Sequence, residues 1–170
     1  MLAYVALGSN LGDSCQIVTN AIVALDKLPN TRLGKASSLY RTAPLLPYRP
    51  QDSLPLPLSA TQPDFINAVA ALYTRLTPLN LLAALQAEET AQGRVRSIPN
   101  APRTLDLDVL LYADARMCTP TLTLPHPRMH LRAFVLVPLS EIAPAELVIP
   151  GRGRLAAWLP AVAGQRISRL

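Results

Sequence analysis

Extended and helical stretches alternate along this chain in the order β-α-β-β-α-β. That order predicts an α+β fold of the ferredoxin-like sandwich type, an antiparallel sheet with helices packed on one of its faces. Three observations carry the prediction. Residues 2–7, 31–41, 65–74 and 104–112 are apolar or alternating, β-prone runs. Residues 14–28 and 77–92 repeat apolar side chains every three to four positions. The chain has 170 residues, half of them apolar and 16% charged, which suits one domain with a sizeable core. No internal repeat or second domain is visible, so residues 1–170 are expected to form a single domain.

Leu2 to Leu7 is an apolar run, expected to be a central strand. Gly8-Ser9-Asn10-Leu11-Gly12-Asp13 is a turn, and Asp13 or Ser14 can cap the helix after it. Val18, Ala21, Ile22, Leu25 and Leu28 give that helix a buried face, and Pro29-Asn30 ends it. The glycines of the turn have no Gly-Lys-Ser/Thr sequel, so a tight strand–helix connection is expected rather than a Walker loop. Residues 31–41 make the second strand, broken by Thr42-Ala43-Pro44. Residues 44–63 hold six prolines, too many for a sheet interior and too long for an ordinary connection. Such a stretch is expected to act as a lid. Phe65 to Thr74 is the third strand. Phe65, Asn67, Val69, Ala71 and Tyr73 share one face, Ile66, Ala68, Ala70 and Leu72 the other. Thr77-Pro78 opens the second helix with a cap and a proline at its first position. Leu79, Leu82, Ala83, Leu85 and Ala87 line its core face, Gln86 and Glu89 share another, and Gly93 lies just past its end.

Beyond the fourth strand come additions. Ala113-Asp114 is a turn, and Leu122-Thr123-Leu124 a short extended piece. His126 sits between Pro125 and Pro127, with a stiff backbone on either side. Residues 129–142 form one helix, or two broken at Pro138. Leu147 to Ile149 is a short strand, 150–153 a turn, and Leu155 to Leu159 a short helix.

Composition narrows the chemistry. No apolar run is long enough for a membrane span, and no basic leader precedes the first strand, so a cytoplasmic protein without a membrane is expected. Cys15 and Cys118 have no metal-ligand spacing and are expected to be free thiols. The net charge of +5 fits a small polyanionic ligand. Aromatics at 5% are too few for a stacking platform, which argues against nucleic acid.

The densest chemistry lies in Arg103-Thr104-Leu105-Asp106-Leu107-Asp108-Val109-Leu110-Leu111-Tyr112. With a period of two, Leu105, Leu107, Val109 and Leu111 face a core, and Asp106 and Asp108 face away from it. Two carboxylates about 6–7 Å apart on an extended chain repel by roughly 2–3 kcal/mol at an effective dielectric near 20. A divalent cation relieves that repulsion, and Mg²⁺ suits a site of one or two carboxylates completed by water and phosphate oxygens. A solvated face of a half-buried strand has the same pattern. Arg94, Arg96 and Arg103 are tethered just upstream, and arginine grips phosphate oxygens bidentately.

Several of these runs together resemble the 6-hydroxymethyl-7,8-dihydropterin pyrophosphokinase family, across nearly the whole chain. They are Tyr4-Val5-Ala6-Leu7-Gly8-Ser9-Asn10-Leu11-Gly12, Ser38-Leu39-Tyr40-Arg41-Thr42, Gln62-Pro63-Asp64-Phe65-Ile66-Asn67-Ala68, and Gly93-Arg94-Val95-Arg96. Further on come Pro102-Arg103-Thr104-Leu105-Asp106-Leu107-Asp108, Leu124-Pro125-His126-Pro127, Arg132-Ala133-Phe134-Val135-Leu136 and Pro138-Leu139-Ser140-Glu141-Ile142-Ala143-Pro144. The resemblance implies a folate-pathway transferase that moves the terminal pyrophosphate of ATP to a reduced pterin and releases AMP. It implies ATP as co-substrate, two Mg²⁺ ions on Asp106 and Asp108, and small molecules as partners, and the chain is expected to be a monomer. It implies that Phe65 and Phe134 sandwich the pterin, with Asn67, Thr42, Pro44 and Leu45 reading its edge. Gln86, Glu89, Arg96, Val109, Thr123, His126 and Arg132 would form the ATP set. Arg94 and Arg103, with Asp106 and Asp108, would be catalytic, and 44–63 and 94–103 would close as lids. Asn100 and Ala101 stand where such proteins often have Trp, Thr121 where a basic residue is common, and Pro127 where Tyr is common.

Overall fold

The computed structural model describes residues 1–44, 63–93 and 104–170. Its elements are β1 (Leu2–Ser9), α1 (Ser14–Leu25), β2 (Thr31–Ala36), β3 (Tyr40–Thr42), β4 (Phe65–Thr74), α2 (Pro78–Ala91) and β5 (Asp106–Tyr112). Beyond these come β6 (Met117–Cys118), β7 (Thr123–Leu124), a 3-10 turn (Met129–Leu131), α3 (Ala133–Ile142), β8 (Val148–Ile149), β9 (Gly153–Arg154), α4 (Leu155–Val162) and β10 (Ile167–Arg169). The main sheet runs β5-β1-β4 and then β2 and β3 side by side along the far edge of β4, with β10 added outside β3. Every neighbouring pair is antiparallel. This is the β-α-β-β-α-β sandwich expected from the element order.

The expected second strand, 31–41, is two strands. β2 pairs with the C-terminal half of β4 and β3 with its N-terminal half. Between them Ser37 donates from its N–H to the Val69 carbonyl at 2.9 Å, and its hydroxyl, not its carbonyl, accepts from the Val69 N–H at 2.9 Å. Asp13 caps α1, accepting from the Gln16 N–H at 3.2 Å. Thr77 caps α2 ahead of Pro78, as the sequence predicts. Gly93, with φ +85°, takes the left-handed conformation just past the end of that helix.

One face of the sheet carries Ala3, Val5, Leu7, Ala68, Ala70, Leu72, Leu105 and Leu107, packed on Val18, Ala21 and Leu25 of α1 and on Leu81 and Leu85 of α2. Burying Leu81 or Leu85 contributes roughly 1.5–3 kcal/mol each. The other face is also covered. Tyr4, Val69, Ala71, Leu110 and Leu111 pack under Leu136 and Leu139 of α3 and under α4. The two helices of the β-α-β-β-α-β unit thus share one face, and the later helices close the opposite one.

Leu111 corrects the simple alternation of β5. The register on β1 jumps from Tyr4↔Leu111 to Val5↔Val109, which leaves Leu110 as an extra residue. Such a bulge flips the parity of the residues beyond it. Leu105, Leu107 and Val109 therefore face α1 and α2, whereas Leu111 joins Tyr4 on the α3 side. The helix expected over 129–142 does break, but at Arg132, whose backbone is extended (φ −124°, ψ 114°), and Pro138 lies within α3.

Candidate active site

The site lies where the end of β1 meets the starts of β4 and β5. One rung across the sheet runs Tyr40, Asn67, Gly8, Asp106. Alternate positions on each strand share a face. Thr42, Phe65, Asn67, Asp106 and Asp108 therefore all lie on the α3 side, at one end of the sheet. Ala6 opposes Asp108 and Gly8 opposes Asp106, so the floor beneath the acids is nearly free of side chain. Asp106 and Asp108 are both half-buried.

The far wall is a polar pair. Asn67 Nδ2 donates to Thr42 Oγ1 at 2.7 Å, and both residues are buried. The buried amide of Asn67 thus finds a hydroxyl of the neighbouring strand. Gly8 makes room for it: a Cβ there would stand 2.9 Å from Asn67 Oδ1. Phe65 stands half-buried at the start of β4, and Phe134 half-buried in the first turn of α3, which packs across β4. The Arg132 guanidinium lies 5.3 Å from the Phe134 ring centre. Pro44 lies two residues past the end of β3.

The near wall is built on the β5 bulge. The bulged Leu110 carbonyl accepts from the His126 N–H at 2.9 Å, which docks the 124–127 segment against β5. The Leu124–Pro125 peptide bond is cis. His126 Nδ1 accepts from the Arg128 N–H at 3.2 Å. The neutral ring therefore carries its proton on Nε2 and is a donor there. Burial, then the Arg132 and Arg128 guanidiniums, push its pKa down to about 4, against a weaker opposing pull from Asp106. His126 is thus a neutral hydrogen-bond donor at pH 7.

The other described residues of the expected ATP set lie on α2, β5 and β7 and, for Arg132, just before α3. Glu89 is 1% exposed, and its Oε1 accepts from the Leu107 N–H at 2.8 Å. Among the described residues β5 is the last strand of the sheet on this side, and its alternate N–H groups point away from β1. Glu89 satisfies the one between the two aspartates. Gln86 lies one turn earlier on α2, half-buried. Val109 turns its side chain into the core under α1 and α2, so only its backbone is left for a ligand. Thr123 lies half-buried in β7, which packs beside β5. Leu45, Arg94, Arg96 and Arg103, and the expected lids apart from Pro44 and Pro63, lie outside the described residues. Among the described residues no group of three or more His, Cys, Asp or Glu could hold a metal ion. A groove of about 400 Å³, lined by residues including Met1, Arg32, Tyr73 and Arg75, lies at the other end of β4 and offers no carboxylate or histidine.

Two residues of the site's support were not singled out from the sequence. Glu141, in α3, accepts from the Ser38 N–H at 2.9 Å, the Ser38 hydroxyl at 2.8 Å and the Tyr40 hydroxyl at 2.6 Å. Gln165 accepts from the Ala133 N–H at 2.9 Å and donates to the Leu131 carbonyl at 2.8 Å. Neither contact is local in sequence, so no spacing pattern announces it.

The model of the 7,8-dihydro-6-hydroxymethylpterin-pyrophosphokinase family matches residues 4–144. A 2-amino-4-hydroxy-6-hydroxymethyldihydropteridine pyrophosphokinase of Pseudomonas aeruginosa is 46% identical over 167 residues, covering 98% of this chain and 95% of its own. A protein of the same name from Haemophilus influenzae is 47% identical over 148 residues, covering 87% and 84%. Among solved structures, a wild-type Plasmodium falciparum HPPK-DHPS chain with pteroate superposes with a TM-score of 0.65 at 13% identity. That match covers 99% of this chain and 47% of the Plasmodium chain, and it speaks for the fold. The family match and the two bacterial relatives lead to one assignment: the chain belongs to the 7,8-dihydro-6-hydroxymethylpterin-pyrophosphokinase family.

Proposed function

We propose that this chain transfers a pyrophosphoryl group from ATP to the hydroxymethyl group of 6-hydroxymethyl-7,8-dihydropterin. The hydroxymethyl oxygen bonds to the β-phosphorus, the bond from that phosphorus to the oxygen bridging it to the α-phosphate breaks, AMP leaves, and the hydroxyl proton passes to solvent. The observation that carries this reading is the single rung of the sheet. It puts Asn67 and Asp106 on one face with Gly8 between them, and Asn67 donates from that rung to Thr42 of the adjoining strand.

The division of labour follows from chemistry. Thr42, Pro44, Leu45, Phe65, Asn67 and Phe134 bind the pterin. Asn67 and Thr42 offer amide and hydroxyl groups to its hydrogen-bonding edge, and half-buried Phe65 and Phe134 offer ring faces to its flat body. Gln86, Arg96, Thr123, Arg132, the Val109 backbone and the His126 donor hold ATP. Glu89 serves the same set from behind, through β5. Asp106 and Asp108 are an all-oxygen donor pair on one face, which fits Mg²⁺ and not a thiolate- or imidazole-rich metal site. They would hold two Mg²⁺ ions, which when bound supply charge neutralisation to the phosphates. Arg94 and Arg103 grip the transferring phosphates. The chain's own contribution is positioning, electrostatics and exclusion of water, since phosphoryl transfer leaves little covalent work to side chains. The protein works as a cytoplasmic monomer. No helix among the described residues is long and apolar enough to cross a membrane.

A product assay tests the proposal. ATP, Mg²⁺ and the reduced pterin should give AMP and the pterin diphosphate, and no ADP. Asp106→Ala and Asp108→Ala should each stop AMP formation while leaving the folded circular-dichroism spectrum intact. Appearance of ADP, or an Asp106→Ala variant as fast as the parent, would overturn the reading.

A further inference from the structure

We infer that residues 165–170 form a positioning strap that ties together two walls of the substrate site. The inference rests on the function proposed above and concerns residues outside the 4–144 span of the family match.

The strap's first contact is at the mouth of α3. Arg132 is the extended residue between the 3-10 turn and that helix, and it gives α3 no side-chain cap. The Ala133 N–H, at the first helical position, has no acceptor within the helix. Gln165 Oε1 accepts from it at 2.9 Å. The same amide donates through Nε2 to the Leu131 carbonyl, at 2.8 Å. One planar group thus brackets Arg132 from both sides. It fixes the backbone that aims the Arg132 guanidinium and carries the Phe134 ring. Gln165 is itself anchored. Its N–H donates to the Val162 carbonyl at 3.0 Å, and Val162 is buried in the α3–α4 core.

The second contact is at the opposite wall. Two residues beyond Gln165 the chain becomes β10 and pairs with β3: Ile167↔Thr42, Ser168↔Arg41, Arg169↔Tyr40. The Leu170 N–H donates to the Leu39 carbonyl at 2.9 Å. β3 is only three residues long, and it carries the Thr42 hydroxyl that holds Asn67. β10 is the strand that pairs with the outer edge of β3 among the described residues, and short edge strands fray readily when left unpaired. The strap therefore holds Arg132 and Phe134 with its first residue and Thr42 with β10. Arg132 belongs to the ATP side, Phe134 and Thr42 to the pterin side.

Two variants separate these contacts. Gln165→Met keeps the volume and removes both hydrogen bonds. Ending the chain after Gln165 keeps the bracket and removes β10. Calorimetric titrations would use 6-hydroxymethylpterin and, with Mg²⁺, the α,β-methylene analogue of ATP. Gln165→Met should weaken both ligands by about five- to tenfold, the loss expected for misplacing one good polar contact. The shortened chain should weaken the pterin and leave the nucleotide within about twofold. A folded Gln165→Met variant that binds both ligands as the parent does overturns the inference, and it alone decides if the shortened chain does not fold. A parent that binds neither ligand overturns the proposed function instead.

Discussion

A methyl group on Gly8 would sit 2.9 Å from Asn67 Oδ1, closer than side-chain carbons approach such an atom. Gly8→Ala should therefore displace the Asn67 amide, break its 2.7 Å bond to Thr42 and fill the floor between that proposed pterin wall and the acids. Pterin affinity should fall about tenfold or more, equivalent to at least about 1.4 kcal/mol, measured by titration. Nucleotide binding should change less. His126 makes a second residue-scale prediction. Its pKa lies near 4 in the folded chain, well below the usual value of 6.5. Below pH 6.5 the unfolded chain takes up a proton that the folded one refuses, so stability falls as pH drops from about 6.5 towards 4 and then levels off. Ring resonances followed by NMR should titrate near 4, with Nε2 protonated above that. A midpoint near 6.5 would refute the buried-donor picture. At this scale the acids and Asn67 were legible because their polar character breaks an apolar alternation. The contacts of Glu89 and Val109 in the fold were not, because they depend on which way a helix and a bulged strand turn.

Two carboxylates tie elements together. Glu89 joins α2 to the segment of β5 between Asp106 and Asp108. Glu89→Ala would leave the buried Leu107 N–H unsatisfied, at about 1–3 kcal/mol in urea unfolding, whereas Glu89→Gln retains an acceptor and should lose less. Weaker use of Mg²⁺ by Glu89→Ala, restored at high Mg²⁺, would result from a displaced aspartate pair. Glu141 joins α3 to the β2–β3 connection. Burial alone would raise its pKa, but hydrogen bonds from Tyr40 and Ser38 and the Arg169 charge outweigh it and hold the carboxyl low. A depressed pKa adds stability that is present above the unfolded value and lost as pH falls through the folded one. Glu141→Gln should thus be less stable than the parent at pH 7, and the gap should close below about pH 4. The split of 31–41 into β2 and β3 has its cause between elements as well. No residue in Ser37-Ser38-Leu39 forbids a strand. The break exists because Ser37 and Ser38 find partners in β4 and α3 that only the folded chain supplies.

At the scale of the molecule, the β-α-β-β-α-β core was legible because strand and helix periods differ and each segment was long enough to show its own. The second helical layer was less so. Helices α3 and α4 are apolar on most sides, and each holds a proline, so periodicity says little about which sheet face they cover. β10 is three residues long with one partly buried apolar side chain, and nothing in it marks a strand until β3 is beside it. Net charge, by contrast, is a whole-chain property that can be read directly. Lysines and arginines number 16 against 11 acids, a balance of +5. ATP is a polyanion and the pterin is uncharged, so the field of the protein should speed the approach of one and ignore the other. Raising ionic strength from about 0.01 M to 0.15 M shortens the screening length from about 30 Å to about 8 Å. The association rate of ATP should therefore fall several-fold over that range in stopped-flow measurements, while that of the pterin stays nearly constant. Direct contacts to phosphates are screened far less than the approach, so ATP dissociation should change little. Equal salt sensitivity for both ligands would mean that the excess positive charge lies away from the site and serves solubility alone.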